Sequence, residues 1–195
     1  MTIDPKIYMI QMSTNKISQH YKNLVLPSWK DYNVHLYEAV TPETIEKQKI
    51  QLTFNTKHSH SSFGISFSET EKAIWYSHYN LWEICIQINK SIIVLEHDMQ
   101  LVDPMFTQNF REKNGVGLGM TYSDYHKADI NLPCGAYYIT PHLAKVLVKT
   151  VHKWDDIKIN PDGYIKKFLD TDRTNWCVTQ VIDKKIGTTI IHNKK

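Results

Sequence analysis

Cysteine is scarce: the chain has 3 among its 195 residues, Cys85, Cys134 and Cys177. They are far apart, odd in number and form no C-x-x-C pair, which excludes a disulfide framework and a zinc knuckle. Reduced thiols of a cytoplasmic protein are the expectation. No secretory leader is expected either, because Asp4 and Lys6 interrupt the N-terminal segment and no apolar stretch follows. No run approaches the ~18 apolar residues of a membrane span, so no transmembrane segment is expected. Glycines alternate at Gly115, Gly117 and Gly119, yet neither G-x-G-x-x-G nor a Walker loop occurs. These glycines instead suit a close backbone approach or a bulge.

A strong charge of either sign is absent as well. The net charge is +3, and the tightest basic groups are the pairs Lys166-Lys167, Lys184-Lys185 and Lys194-Lys195. Paired lysines read as solvated faces and do not supply the aligned phosphate contacts of tight nucleic-acid binding. They leave an anionic acceptor open. What is present in quantity is aromatic: 5 Trp and 11 Tyr, within an ordinary 42% hydrophobic and 22% charged composition. Aromatic side chains fill cores and also build platforms for sugars and bases. The length suits one α/β domain over residues 1–195, long enough to bury roughly 70% of its unfolded surface.

Short apolar runs at Ile7–Ile10, Val34–Val40, Ile92–Leu95, Val116–Met120, Ala136–Ile139 and Thr188–Ile191 predict strands. Residues 48–67 read as a flexible loop. Its His58-Ser59-His60 is a solvated pair or a metal-binding one, and the loop itself is a candidate lid. Ser68-x-x-Glu71 is a capping box and predicts a helix start. Ile74, His78, Leu81, Cys85 and Ile88 then mark one apolar helical face. Thr140-Pro141 and Asn160-Pro161 predict two further helix starts, the first running to about Val151 and the second covering Asp162–Leu169. A helix followed by a wholly apolar strand is an αβ unit, which points to a mostly parallel central sheet flanked by helices.

Glu96-His97-Asp98 lies at the carboxyl end of the apolar strand, where ligands bind in open α/β sheets. In an extended segment Glu96 and Asp98 face one side and His97 the other. Paired carboxylate oxygens suit a hard Mg²⁺ or Mn²⁺ ion, with Asp98 the direct ligand and Glu96 orienting the ribose, a water or the metal. The same pair also reads as solvated carboxylates at a strand end.

Residues 68–102, SETEKAIWYSHYNLWEICIQINKSIIVLEHDMQLV, resemble the core of glycosyltransferase family 25. That family shows a Glu, a small residue two later, Ser-His, an aromatic helix and an apolar strand closed by Glu-Asp-Asp. Here these fall on Glu71, Ala73, Ser77-His78, Trp82 and Glu96-His97-Asp98. Ile7–Met12, Tyr37–Val40, Gly135–Ala144 and Pro161–Tyr164 are similar to further family segments. Departures are His97 for the middle acid, Gln11 for Asn, Thr41 for Asp, and missing arginines after the first strand. The family includes lipooligosaccharide and collagen galactosyltransferases.

The resemblance implies a single GT-A-type, Rossmann-like domain and a metal-dependent, inverting transfer from a nucleotide sugar, a UDP-hexose, to a hydroxyl of a glycan or other acceptor. It implies donor contacts at Gln11, Met12, Ser13, Val40, Thr41, Ser77, His78 and His97. Acceptor contacts fall on Gly135, Tyr137, Asp155 and Asp156. His192 becomes a third candidate ligand beside Asp98 and Glu96 for Mn²⁺ or Mg²⁺; a loose tail histidine is the bland alternative. Asp162 is the candidate base, although a first-turn helix acid has a purely electrostatic reason to sit there. Ser77 and His78, on a core-facing helix, also suit bracing of the donor site from below. Three competing classes stay open: a transferase for a modified nucleic-acid base, a non-catalytic sugar-nucleotide or glycan-binding module, and a histidine-rich metal-binding structural protein.

Overall fold

The computed structural model describes residues 5–55, 67–103, 113–123, 128–130, 135–170 and 177–181. Among them, β1 (Lys6–Gln11), β2 (Val34–Glu38), β3 (Ile92–Glu96), β5 (Gly115–Gly117) and β8 (Ala136–Ile139) form a five-stranded sheet in the order β2-β1-β3-β8-β5. β1 pairs in parallel with both β2 and β3, while β8 is antiparallel to β3 and to β5. Four of the five strands therefore point one way and β8 alone is reversed. The chain leaves β1 for β2 on one side and returns to β3 on the other. In open α/β sheets such a reversal is where the ligand crevice lies, here above the carboxyl ends of β1 and β3. A smaller sheet is made by β4 (Met99–Leu101), β9 (Val178–Gln180), β6 (Gly119–Ser123) and β7 (Ala128–Ile130), in the order β4-β9-β6-β7.

Helix α2 (Glu69–Ile88) starts where the capping box predicts: Ser68 Oγ accepts from Glu71 N, and Glu71 Oε2 accepts from Ser68 N at 2.7 Å. It ends at Asn89, whose φ of 49° is the left-handed turn that asparagine tolerates better than most residues. The single apolar face read from the sequence is too narrow. Ala73, Trp75, Tyr76, Ser77, His78, Tyr79, Leu81, Trp82 and Cys85 are all buried. The helix is enclosed by the sheet, by α3 (Pro141–Val151) and α4 (Pro161–Ile165), and by the 3-10 turn Pro42–Lys47. Aromatic rings fill this layer, with Tyr164 packed against Trp75, Trp82 and Trp154 at centroid distances of 5.2, 5.8 and 5.0 Å.

The opposite face of the sheet buries Ile7, Met9, Ile93, Leu95 and Tyr138 with Val25 and Trp29 from α1 (Lys16–Val25) and the 3-10 turn that follows it. Continuous burial of Ile92–Leu95 follows from a strand covered on both faces. Three expectations shift. The strand expected over Val116–Met120 is two strands broken at Leu118, because β5 joins the large sheet and β6 the small one. There a Cβ on Gly119 would meet the Val178 carbonyl oxygen at 2.5 Å, the close backbone approach that glycine permits. The helix expected over Asp162–Leu169 is helical only as α4, and turns follow it. The second strand ends at Glu38, short of Val40. His58-Ser59-His60 and Thr188–Ile191 lie outside the described residues. No described helix is long and apolar enough to cross a membrane.

Candidate active site

The crevice begins at the carboxyl ends of β1 and β2, where Gln11 faces Glu38 in register. Gln11 Nε2 donates to Glu38 Oε2 at 2.7 Å, and Ser13 N and Oγ donate to Glu38 Oε1 at 2.8 and 3.0 Å. Gln19 from α1 donates to the Gln11 amide oxygen and to Met12 O. Asn15 caps α1 with bonds to Ile17 N and Ser18 N, which brings Ser18 Oγ to Met12 N at 2.9 Å. The result is an exposed carboxylate, Glu38, fixed by three donors and left with open acceptor capacity.

Val40 N donates to Ser77 Oγ at 2.9 Å, and Ser77 in turn donates to Ala73 O. Ser77 thus ties the end of β2 to α2. Thr41 turns the chain into its 3-10 segment, its N–H donating to Thr44 Oγ1 at 2.8 Å. Gln11, Met12, Ser13, Val40 and Thr41 therefore line up along one sheet edge, as parts of the crevice floor and rim.

Across the crevice stands Glu96, in register with Ile10. The sequence reading assumed an extended segment through Asp98. Instead β3 ends at Glu96, and His97-Asp98 form the turn into β4. The strand register of β4 with β9 then carries Gln180 to Asp98, and Gln180 Nε2 donates to Asp98 Oδ2 at 2.7 Å. Val181 N donates to Asp98 O, and Trp29 Nε1 donates to Met99 O, so the turn is held from both sides. Asp98 is 3% exposed, and its Oδ1 is buried with no hydrogen-bond partner.

Burial raises the pKa of Asp98, and its interaction with His97 and the bond from Gln180 act in the opposite direction. Glu96 is pushed well above the ordinary carboxylate range, first by loss of water and then by the charges of Asp98 and Asp162. His97 turns toward α1, with its ring 6.1 Å from that of Tyr21, and burial lowers its pKa. Asp162 sits in the first turn of α4, which Asn160 caps by accepting from Gly163 N at 2.8 Å.

His78 and Tyr137 lie elsewhere than a ligand contact requires. His78 is 1% exposed and Tyr137 wholly buried, so neither side chain reaches the crevice surface. His78 Nδ1 is 2.9 Å from Tyr137 Oη, and Trp82 Nε1 donates to that same oxygen at 3.0 Å. His78 Nε2 points toward Glu96 Oε1 at 3.9 Å. Gly135 is likewise buried, at the start of β8. Tyr137 is therefore a structural element beneath the site, because packing against His78 and Trp82 of α2 consumes its surface, and Gly135 is buried and offers an acceptor little surface. Asp155 and Asp156 instead border an open cavity of about 630 Å³ with Lys153, Trp154, Lys158 and Lys167. It adjoins the α4 start that bears Asp162, and Lys158 Nζ pairs with Asp156 Oδ1 at 3.2 Å.

Glu38, Gln19 and Gln180 are not among the site residues expected from the sequence, although Glu38 lies in the Tyr37–Val40 segment that resembles the family. Glu38 closes a strand that alternates weakly, and Gln180 reaches Asp98 across 82 positions, so no local pattern marks either. His192 lies outside the described residues. Among the described residues no three His, Cys, Asp or Glu side chains gather as a metal cage. Two carboxylates are nonetheless a sufficient protein share for Mg²⁺ or Mn²⁺, which keep waters and substrate phosphates as their other ligands. The partnerless Asp98 Oδ1 and the repulsion between two desolvated acids are what a divalent cation relieves.

Comparison with solved structures finds a glycosyltransferase involved in the glycosylation of the major capsid of PBCV-1, at 9% identity and a TM-score of 0.41, covering 92% of this chain and 96% of that one. Mouse xyloside xylosyltransferase 1 in its apo form is similar at 12% identity and a TM-score of 0.42, covering 93% of this chain and 86% of that one. No curated protein sequence matches the chain. The sequence model described as "Glycosyltransferase family 25 (LPS biosynthesis protein)" matches residues 4–131, from the first strand through the Glu96-His97-Asp98 turn. With well over half its length matched, and with the crevice acids inside the matched span, the chain belongs to glycosyltransferase family 25.

Proposed function

We propose that this glycosyltransferase is metal-dependent and moves a hexose from a UDP-sugar to a hydroxyl of a glycan, with inversion at the anomeric carbon. The observation that carries the reading is the Glu96–Asp98 turn at the crevice. One buried carboxylate oxygen there lacks a partner, and both acids resist ionising without a counter-charge. Asp98 and Glu96 would hold a Mn²⁺ or Mg²⁺ ion, whose contribution when bound is to neutralise the departing diphosphate.

The remaining roles belong to the chain. Glu38, exposed at the end of β2 and held by Gln11 and Ser13, suits a ribose hydroxyl. Gln11, Met12 and Ser13 would border the nucleoside, with Val40 and Thr41 closing its far side. Asp162 would take the proton of the attacking hydroxyl, a role worth about 10²–10⁴-fold; that its charge reaches Glu96 supports it. The cavity beside Trp154 suits the acceptor glycan, with an aromatic wall for a sugar face and lysines for an anionic group.

The test is nucleotide release from a panel of nucleotide sugars, with Mn²⁺ or with EDTA, by the wild type and by Asp98→Ala. Slow hydrolysis of one UDP-hexose, abolished by EDTA and by the substitution, is the expected result. Release of equal rate in EDTA would remove the metal from the reading.

A further inference from the structure

Beneath Glu96 a chain of three buried side chains ends on an atom with no partner. Trp82 Nε1 donates to Tyr137 Oη at 3.0 Å, Tyr137 Oη lies 2.9 Å from His78 Nδ1, and His78 Nε2 is buried without a hydrogen-bond partner. The group it faces is the Glu96 carboxylate, 3.9 Å away. A buried polar atom left unpaired is costly, so its retention asks for a reason. All three residues come from elements fixed by packing: Trp82 and His78 sit one turn apart on α2, and Tyr137 lies in the interior of β8.

The direction of the chain follows from donor chemistry. An indole N–H only donates, so the Tyr137 oxygen accepts from Trp82 and has its own hydrogen to give. His78 is 1% exposed and meets the Tyr137 hydroxyl at Nδ1, so a phenol hydrogen given there needs the Nδ1 lone pair. One ring nitrogen therefore carries a hydrogen and the other a lone pair. A lone pair at Nε2 would confront the Glu96 carboxylate, 3.9 Å away, whenever a bound cation holds that acid ionised. A hydrogen there makes the same approach attractive.

We propose that Trp82 and Tyr137 lock His78 as its Nε2–H tautomer, and that His78 is a positioning residue which presents this N–H to Glu96 and holds that carboxylate in its ligand-binding orientation. The inference deepens the assignment of Glu96 to the donor site and rests on it. The ring closes on the carboxylate by less than an ångström to reach hydrogen-bond distance, an adjustment within one Glu96 rotamer. His78 neither touches substrate nor moves a proton in this account. Its hydrogen bond orders Glu96, much as a partner behind a metal ligand fixes that ligand's orientation.

Two measurements test it. The first is ¹⁵N NMR of the histidine ring in the full chain without added metal or nucleotide. Wild type should show a protonated Nε2 and an unprotonated Nδ1 at pH 7, and Tyr137→Phe, which removes one oxygen, should mix the two tautomers. A protonated Nδ1 in the wild type overturns the proposal, whatever the enzyme does. The second is calorimetric affinity for UDP with Mn²⁺. His78→Gln places an amide N–H near the Nε2 position and should bind within about threefold of wild type. His78→Asn keeps the Tyr137 side of the contact but loses the donor, and should bind about tenfold more weakly, the worth of one buried hydrogen bond. Equal affinities in the two variants overturn the positioning role. If wild type binds no UDP while the Nε2–H tautomer is seen, the donor-site assignment fails and the lock stands as a structural feature.

Discussion

Gln180 donates to Asp98 across 82 positions of sequence, at 2.7 Å, and this single bond decides which oxygen of Asp98 is free. With Oδ2 satisfied, Oδ1 is the atom left to a ligand. The bond favours the ionised acid and opposes the rise that burial imposes. Gln180→Leu should therefore raise the Asp98 pKa further. Donor hydrolysis should fall on the order of tenfold near pH 6.5, about the worth of one hydrogen bond to a charged group, and part of the loss should return as the pH is raised. A pH–rate profile checks this; an unmoved acid limb would separate Gln180 from the site.

The same burial makes Asp98 a cost to the fold when no cation is present. A carboxylate with a raised pKa binds its proton more tightly folded than unfolded, so stability is lost as pH rises through the folded value. Asp98→Asn removes that loss, and the Gln180 amide can turn to present its oxygen. In EDTA at pH 7.5 the variant should be more stable by on the order of 1 kcal/mol, which for this length is roughly 2–4 °C in Tm. The gain should shrink at pH 3.5, below the ordinary value of 3.8 from which burial raises Asp98. Thermal melts at the two pH values decide it.

His78 gives the opposite slope. Its pKa is depressed from 6.5 to about 4 by burial. The unfolded chain therefore takes up the proton first, and stability present above pH 6.5 is lost as pH falls toward 4. Between pH 7 and pH 5 this contributes a loss of about 2 kcal/mol. Urea melts of His78→Gln should lack that contribution while keeping those of the carboxylates.

Gly119 tests the junction of the two sheets. A methyl group there meets the Val178 carbonyl at 2.5 Å, a backbone atom that cannot swing aside. Gly119→Ala should push β6 from β9 and cost about 1–3 kcal/mol. It should also weaken donor binding, because β9 carries Gln180 to Asp98. Chemical denaturation and UDP calorimetry on the one variant read both effects.

Much of this was legible from local signals. The capping box of Ser68 and Glu71, the Thr140-Pro141 start and the apolar run Ile92–Leu95 depend on neighbours within a turn or a strand, and the structure has them where the residues predict. Glu96 and Asp98 could be singled out because a wholly buried strand must end somewhere, and acids at that end are conspicuous. The contacts were not legible. Tyr137 looked like an acceptor residue because its segment resembles one, yet β8 pairs with β3 and turns that ring under α2. Long-range register alone brings Gln180 to Asp98 and Glu38 to Gln11. The extended-strand assumption for Asp98 failed because the chain turns at His97 to begin a second sheet.

The most direct measurement of the central claim is a Mn²⁺ titration followed by electron paramagnetic resonance, in the presence and absence of UDP. The account predicts that wild type binds one Mn²⁺ per chain, more tightly with UDP present, and that Asp98→Asn and Glu96→Gln each weaken this by at least tenfold. UDP bound equally well in EDTA, or Mn²⁺ bound equally well by both variants, would contradict a metal site at the Glu96–Asp98 turn.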